Sequence, residues 1–202
     1  MQSIKKAKLV LENGLEFQGF SFGYEQPACG EVVFSTAMVG YPESLTDPSY
    51  SGQILCVTYP IIGNYGVPAD ELENGISKYF ESDKIQVKAL VISDYSFNYS
   101  HWNAAKSLDT WLKEHQVPGI FGIDTRELTK VLRNNGSMMG NIVQEDSNAE
   151  LACVNPNVVN QVDEVSCKEV IKYNEKKEKK VVLLDCGVKN SILRTLTQKD
   201  VE

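Results

Sequence analysis

The stretch Gln53-Ile-Leu-Cys-Val-Thr-Tyr-Pro60 decides how the chain folds. From Ile54 to Val57 it is apolar without interruption, and a strand with no polar alternation is one buried on both faces. Pro60 has no amide hydrogen to give to a sheet and is expected to end the strand. A sheet covered on both sides needs a layer on each, so the flanking sequence must supply neighbouring strands and covering helices.

Upstream, Ala7-Lys-Leu-Val-Leu-Glu-Asn-Gly-Leu-Glu-Phe-Gln-Gly19 sets Asn13-Gly14 between two alternating runs, the strongest short-range hairpin signal. It predicts strands over 7–12 and 15–20. A third strand follows over 31–36, where Val32 and Phe34 share one face and Val33 takes the other.

Downstream, Val87-Lys-Ala-Leu-Val-Ile-Ser-Asp94 is another strand, after which the period moves from two toward 3.6. Trp102, Ala105, Leu108 and Leu112 then form one stripe with Trp111 at its edge, which predicts an amphipathic helix over 101–115. A short strand over 118–123 comes next. Asp124 and Glu127 match the N-cap and N3 positions of a capping box, Leu128, Val131 and Leu132 supply an apolar face, and Gly136 suits the stop. The spacing predicts a helix there and a strand over 137–144.

The character changes near Glu145. Asn-Pro-Asn at 155–157 breaks regular structure, and 168–180 mixes lysine with glutamate, as in an exposed linker or a solvated helix. Val181-Val-Leu-Leu-Asp-Cys-Gly187 then reads as an apolar strand, followed by Ile192, Leu193 and Leu196 at helical spacing over 190–198. That is the first βα unit of an open parallel sheet, and a single unit cannot bury both faces of its strand. The expectation is that a second domain continues beyond Glu202.

The 202 residues are 42% hydrophobic and 23% charged, which is ordinary globular usage. A net charge of -7 opposes the attraction that drives phosphate-backbone binding, so nucleic acid is excluded as a partner. No window reaches the apolar length of a membrane span, and the start, MQSIKKAKLVLENG, turns polar too soon for a signal peptide. The expected location is cytoplasmic, with no membrane association. Cys29, Cys56, Cys153, Cys167 and Cys186 form no metal clip and are expected to be mostly plain thiols. His101 and His115 lie at no short ligand spacing from them, so the expected metal set is empty.

Catalytic chemistry is not visible in these residues. Both histidines bracket the predicted helix as solvated ends, and Asp185-Cys186-Gly187 places a thiol after a strand with no activating imidazole nearby, which favours a packed thiol. Gly63-Asn-Tyr-Gly66 and Gly119-Ile-Phe-Gly122 lack the Walker lysine and the dinucleotide spacing. Asp47, Ser49 and Ser51 crowd one loop; Asp-Pro-Ser-Tyr is a turn on this evidence, and a binding loop is the alternative.

The segment Gly30-Glu-Val-Val-Phe-Ser-Thr-Ala-Met-Val-Gly-Tyr-Pro-Glu-Ser-Leu-Thr-Asp-Pro-Ser-Tyr-Ser-Gly-Gln-Ile-Leu-Cys-Val-Thr-Tyr-Pro-Ile-Ile-Gly-Asn-Tyr-Gly66 closely resembles the small, glutamine-hydrolysing subunit of carbamoyl-phosphate synthetase. Leu9-Val-Leu-Glu-Asn-Gly14, Ile123-Asp-Thr-Arg-Glu-Leu-Thr129 and Asp185-Cys-Gly-Val-Lys-Asn-Ser-Ile-Leu-Arg194 follow in that family's order. The resemblance implies an α/β (α+β) chain in three parts. Residues 1–150 would form a swivelling β/β/α domain that docks on the large synthetase subunit, 151–180 a charged linker, and 181–202 the start of a flavodoxin-like class I glutamine amidotransferase domain. It implies a part in making carbamoyl phosphate for arginine and pyrimidine synthesis, with ATP and Mg used by the large subunit and no cofactor held by this chain. In that family a Cys–His–Glu set hydrolyses glutamine; no cysteine here aligns with the nucleophile, so the chain alone is expected to be inactive. The family's glutamine-contacting serine falls on Ser49. The alternative is a stand-alone, non-catalytic interaction domain on the same scaffold.

Overall fold

The computed structural model describes residues 5–144, 153–154 and 156–202. The expected domain boundary at 150 and Asn155 of the Asn-Pro-Asn break lie outside these residues. Strands β1 (Lys6–Leu11) and β2 (Glu16–Gly23) form the predicted hairpin. Gly14 turns it with φ 83°, in the left-handed region that glycine enters at little cost. Strand β3 (Ala28–Ser35) places Val32 and Phe34 against one core and Val33 against another, as its alternation requires.

Helix α1 (Tyr41–Thr46) leads through a single 3₁₀ turn, Pro48–Tyr50, into β4 (Gln53–Ile62). Pro60 does not end β4. The strand runs on to Ile62, with its register against the next strand shifting between Val57 and Ile61, and such an irregularity is where a sheet tolerates proline. Short strands β5 (Val67–Pro68), β6 (Leu72–Glu73) and β7 (Ile76–Ser77) precede β8 (Ala89–Tyr95).

The helix expected over 101–115 is the main correction in this part of the chain. Residues Ala104–Lys106 form β9, paired with β5, and only Leu108–Glu114 is helical, as α2. The Ser107 side chain accepts the Thr110 amide and sets the start, a local bond that outweighs the apolar spacing upstream. Trp102, counted on the buried stripe, is 86% exposed.

Strand β10 (Pro118–Phe121), helix α3 (Thr125–Asn135) and strand β11 (Met138–Gln144) complete the first part. Asp124 accepts the Glu127 amide at 2.9 Å, and Leu128 and Leu132 are buried, as the pattern predicts. The seven longer strands close into a barrel in the order β1-β11-β3-β4-β8-β10-β2. Neighbours from β3 through β4 and β8 to β10 are parallel and the remaining pairs antiparallel.

Two apolar cores lie on opposite faces of the barrel wall. Leu9, Val32, Ile54, Cys56, Val91, Ile120 and Ile142 converge from six strands, which only the interior permits, and Leu128 and Leu132 of α3 pack with them. Outside the wall, Leu55, Val57, Leu90 and Ile92 pack against Tyr41 and Leu45 of α1 and Leu108, Trp111 and Leu112 of α2. The unbroken apolar run of β4 is therefore explained. Each fully buried Leu or Ile contributes about 1.5–3 kcal/mol.

Beyond the barrel come a turn at Pro156–Val158, helix α4 (Gln161–Val165) and helix α5 (Asn190–Thr197). The predicted strand over 181–185 is not formed: Val182 is 95% and Leu184 87% exposed. A strand needs a neighbour to take its amides and carbonyls; the Val181 amide donates to the Glu202 carbonyl at 2.8 Å, but no strand pairs with this segment among the described residues.

Candidate functional site

The turn that carries Ser49 is built from the residues on either side of it. The Tyr65 hydroxyl accepts the Gly40 and Tyr41 amides at 2.9 and 3.1 Å, Tyr41 stacks on Tyr65 at 4.3 Å, and the Tyr41 hydroxyl donates to the Gly66 carbonyl at 2.6 Å. Burial pushes the Tyr41 phenol far above its ordinary range, so it stays a donor. Thr46, itself buried, donates through Oγ1 to the Pro42 carbonyl at 2.9 Å. These bonds hold α1 still.

Asp47 continues the restraint. Its Oδ1 accepts the Ser49 amide at 2.9 Å, its carbonyl accepts the Tyr50 amide at 3.0 Å, and Pro48 supplies a fixed φ. Gly30 of β3 lies so close below the turn that a side chain there would meet the Gly52 carbonyl at 2.6 Å. Ser49 is exposed at the tip, and among the described residues no hydrogen bond engages its hydroxyl. The arrangement presents one neutral donor and acceptor on a rigid backbone.

A second turn, 185–189, faces it. Lys189 Nζ lies 3.4 Å from Asp47 Oδ2, and a side chain on Gly187 would sit 3.3 Å from Pro48 Cβ. Asp185 accepts the amides of Cys167, Gly187 and Val188 at 2.7, 2.8 and 2.8 Å. Burial works to raise its carboxyl; those three amides outweigh burial and hold it below the usual aspartate range.

The residues next to these turns escape sequence reading. Glu81 is buried; its amide donates to Thr46 Oγ1 at 2.9 Å, and its Oε2 accepts the Ser191 amide at 2.9 Å. Arg194 donates to the Ser77 carbonyl at 2.5 Å, to the Phe80 carbonyl at 3.1 Å and to Glu81 Oε1 at 3.3 Å. Asn190 adds its amide to the Glu81 carbonyl at 2.9 Å and its side chain to that of Phe80 at 3.1 Å. More than a hundred residues separate the partners, so no local pattern could announce them. The only sequence signal was the helical spacing of α5, which foretells a helix without saying what it meets.

The remaining candidates stand apart from these turns. His101 packs on the Tyr65 ring edge at 6.2 Å, and His115 lies against Trp111 at 5.7 Å, where burial lowers its pKa. Cys186 is exposed, against the packed thiol expected, because no sheet forms behind it. Cys56 is buried in the barrel, which pushes its thiol up to about 12. Cys29 and Cys153 are joined as a disulfide, so three of the five cysteines are free thiols.

Residues 9–142 match the family profile described as "Carbamoyl-phosphate synthase small chain, CPSase domain". Curated relatives span nearly the whole chain. "Multifunctional protein pyr1-3" of Dictyostelium discoideum is 47% identical over 98% of this chain and 10% of its own length. "Carbamoyl-phosphate synthase [ammonia], mitochondrial" of Mus musculus is 48% identical over 98% of this chain and 13% of its own length. "Carbamoyl phosphate synthase arginine-specific small chain" of Eremothecium gossypii is 46% identical over 98% of this chain. The chain spans 51% of that last relative and far less of the first two.

Proposed function

The chain belongs to the carbamoyl-phosphate synthase small-chain family, and from that premise we propose that it is the N-terminal part of the glutaminase component of a glutamine-dependent carbamoyl-phosphate synthase. In this reading the whole enzyme joins ammonia from glutamine to bicarbonate with two ATP, giving carbamoyl phosphate for arginine and pyrimidine synthesis. The barrel docks on the large synthetase component, and Ser49 forms one edge of the glutamine site. No cysteine of this chain aligns with the family's nucleophile, so in this reading the chain alone turns over no glutamine. ATP and Mg²⁺ belong to the synthetase component in this reading, as the family resemblance implies.

The observation that carries the reading is the turn at 47–50. Its tip, Ser49, is exposed and uncharged, its backbone is held by hydrogen bonds, and the turn is pressed against the 185–189 turn, which the family resemblance makes the start of the glutaminase domain. A hydroxyl there satisfies a polar group of glutamine without itself carrying charge, and the held backbone keeps it where the substrate needs it.

Calorimetric titration of the chain into the large synthetase component at moderate salt tests the docking claim. Saturable one-to-one binding is expected. No binding by the folded chain would remove that claim and favour the stand-alone interaction module.

A further inference from the structure

Helix α5 begins without a cap of its own. Lys189 stands at its N-cap and makes no side-chain hydrogen bond there, although the first amides of a helix need an acceptor. The acceptors come from the barrel domain instead: the Glu81 carbonyl takes the Asn190 amide and the Glu81 carboxylate takes the Ser191 amide, both at 2.9 Å. A carboxylate at a helix N-terminus is favoured by the helix dipole as well as by the bond. Arg194, one turn on, closes the other side by pairing with Glu81 and donating to the carbonyls of Ser77 and Phe80. Both side chains are largely removed from solvent, at 10% exposure for Glu81 and 23% for Arg194.

Glu81 also faces the other way. Its amide donates to Thr46 Oγ1, and Ser82 Oγ donates to the Thr46 carbonyl at 2.5 Å. Thr46 is the last residue of α1 and immediately precedes Asp47, which holds the Ser49 amide. Hydrogen bonds, joined by the Thr46–Asp47 peptide bond, thus link α5 through Glu81 and Thr46 to the Ser49 turn. The Asp47–Lys189 pair closes the same loop from the opposite side.

We propose that Glu81 and Arg194 are a positioning pair, a partly buried clamp that registers the Ser49 turn against the 185–197 segment and thereby sets glutamine affinity without touching glutamine. This rests on the glutamine reading given above. The clamp also explains the uncapped start of α5, which is capped only when it is seated on the barrel.

The test is glutamine kinetics of the full glutaminase-bearing protein for Ser49→Ala, Glu81→Ala, Arg194→Ala and Arg194→Lys. A positioning contact serves ground state and transition state alike, so Glu81→Ala and Arg194→Ala should each raise KM for glutamine about tenfold while kcat stays close to the unmodified value. Adding Glu81→Ala to Ser49→Ala should add little, because the pair acts through the turn. Arg194→Lys keeps the charge but cannot span two carbonyls and should recover part of the loss. Hydrogen exchange of the 202-residue chain guards against misfolding: in Glu81→Ala the amides of 191–194 should exchange faster while those of β4 and β8 do not change. An unchanged KM in the Glu81 and Arg194 variants beside a raised KM in Ser49→Ala would overturn the clamp and leave the glutamine site standing. An unchanged KM in Ser49→Ala would overturn both.

Discussion

Ser49 is exposed, yet its backbone has little freedom, because Asp47 holds its amide and Pro48 fixes the preceding φ. Exposure and rigidity are separate properties, and a binding hydroxyl needs both. The cysteines make the same distinction measurable. Cys56 is kept protonated by burial, Cys29 and Cys153 are paired, and Cys167 and Cys186 are exposed. A hydrogen bond to the Asp185 carboxylate raises the Cys167 thiol, so it is the less reactive of the exposed two. A thiol reagent at neutral pH should therefore label Cys186 first and Cys167 second in the native chain. A third thiol should appear on unfolding and all five only after reduction. Immediate labelling of Cys56 would contradict its place in the barrel.

At the scale of elements, α3 and α2 show when a pattern can be trusted. For α3 the cap, the apolar face and the terminating Gly136 all lie within one short stretch, so local sequence carries every signal that marks the helix. Replacing Asp124 with Ala removes the acceptor for the Glu127 amide and should cost about 1 kcal/mol. That lowers Tm by about 2–4 °C in a chain of this size. Asp124→Asn should keep most of the stability, and a thermal melt separates the two. For α2 the stripe from Trp102 to Leu112 mimicked a longer helix. The upstream half was claimed by β5, a partner some forty residues earlier that no periodicity reveals.

At the scale of the molecule, stability is distributed unevenly. The interior strands β4 and β8 are each hydrogen-bonded on both sides and packed on both faces, whereas 182–184 pairs with no strand among the described residues and leaves Val182 and Leu184 almost fully exposed. Amides of 54–57 and 89–92 should exchange with solvent most slowly and those of 182–184 rapidly. Equal protection of the two regions, measured by mass spectrometry, would mean that 182–184 pairs with another segment after all.

By itself the sequence determined what short-range chemistry determines: the Asn13–Gly14 hairpin, the two-faced burial of β4, the capped helix α3 and the helical spacing of α5. The Asp-Pro-Ser-Tyr turn was legible for the same reason, since proline and an aspartate two residues from the amide it accepts act locally. Tertiary structure alone decided that seven strands close into a barrel, that Cys29 meets Cys153, and that Glu81 caps a helix more than a hundred residues away. Those outcomes depend on groups brought together by burial and strand pairing, and the free energy of such contacts is carried by neither partner's own stretch of chain.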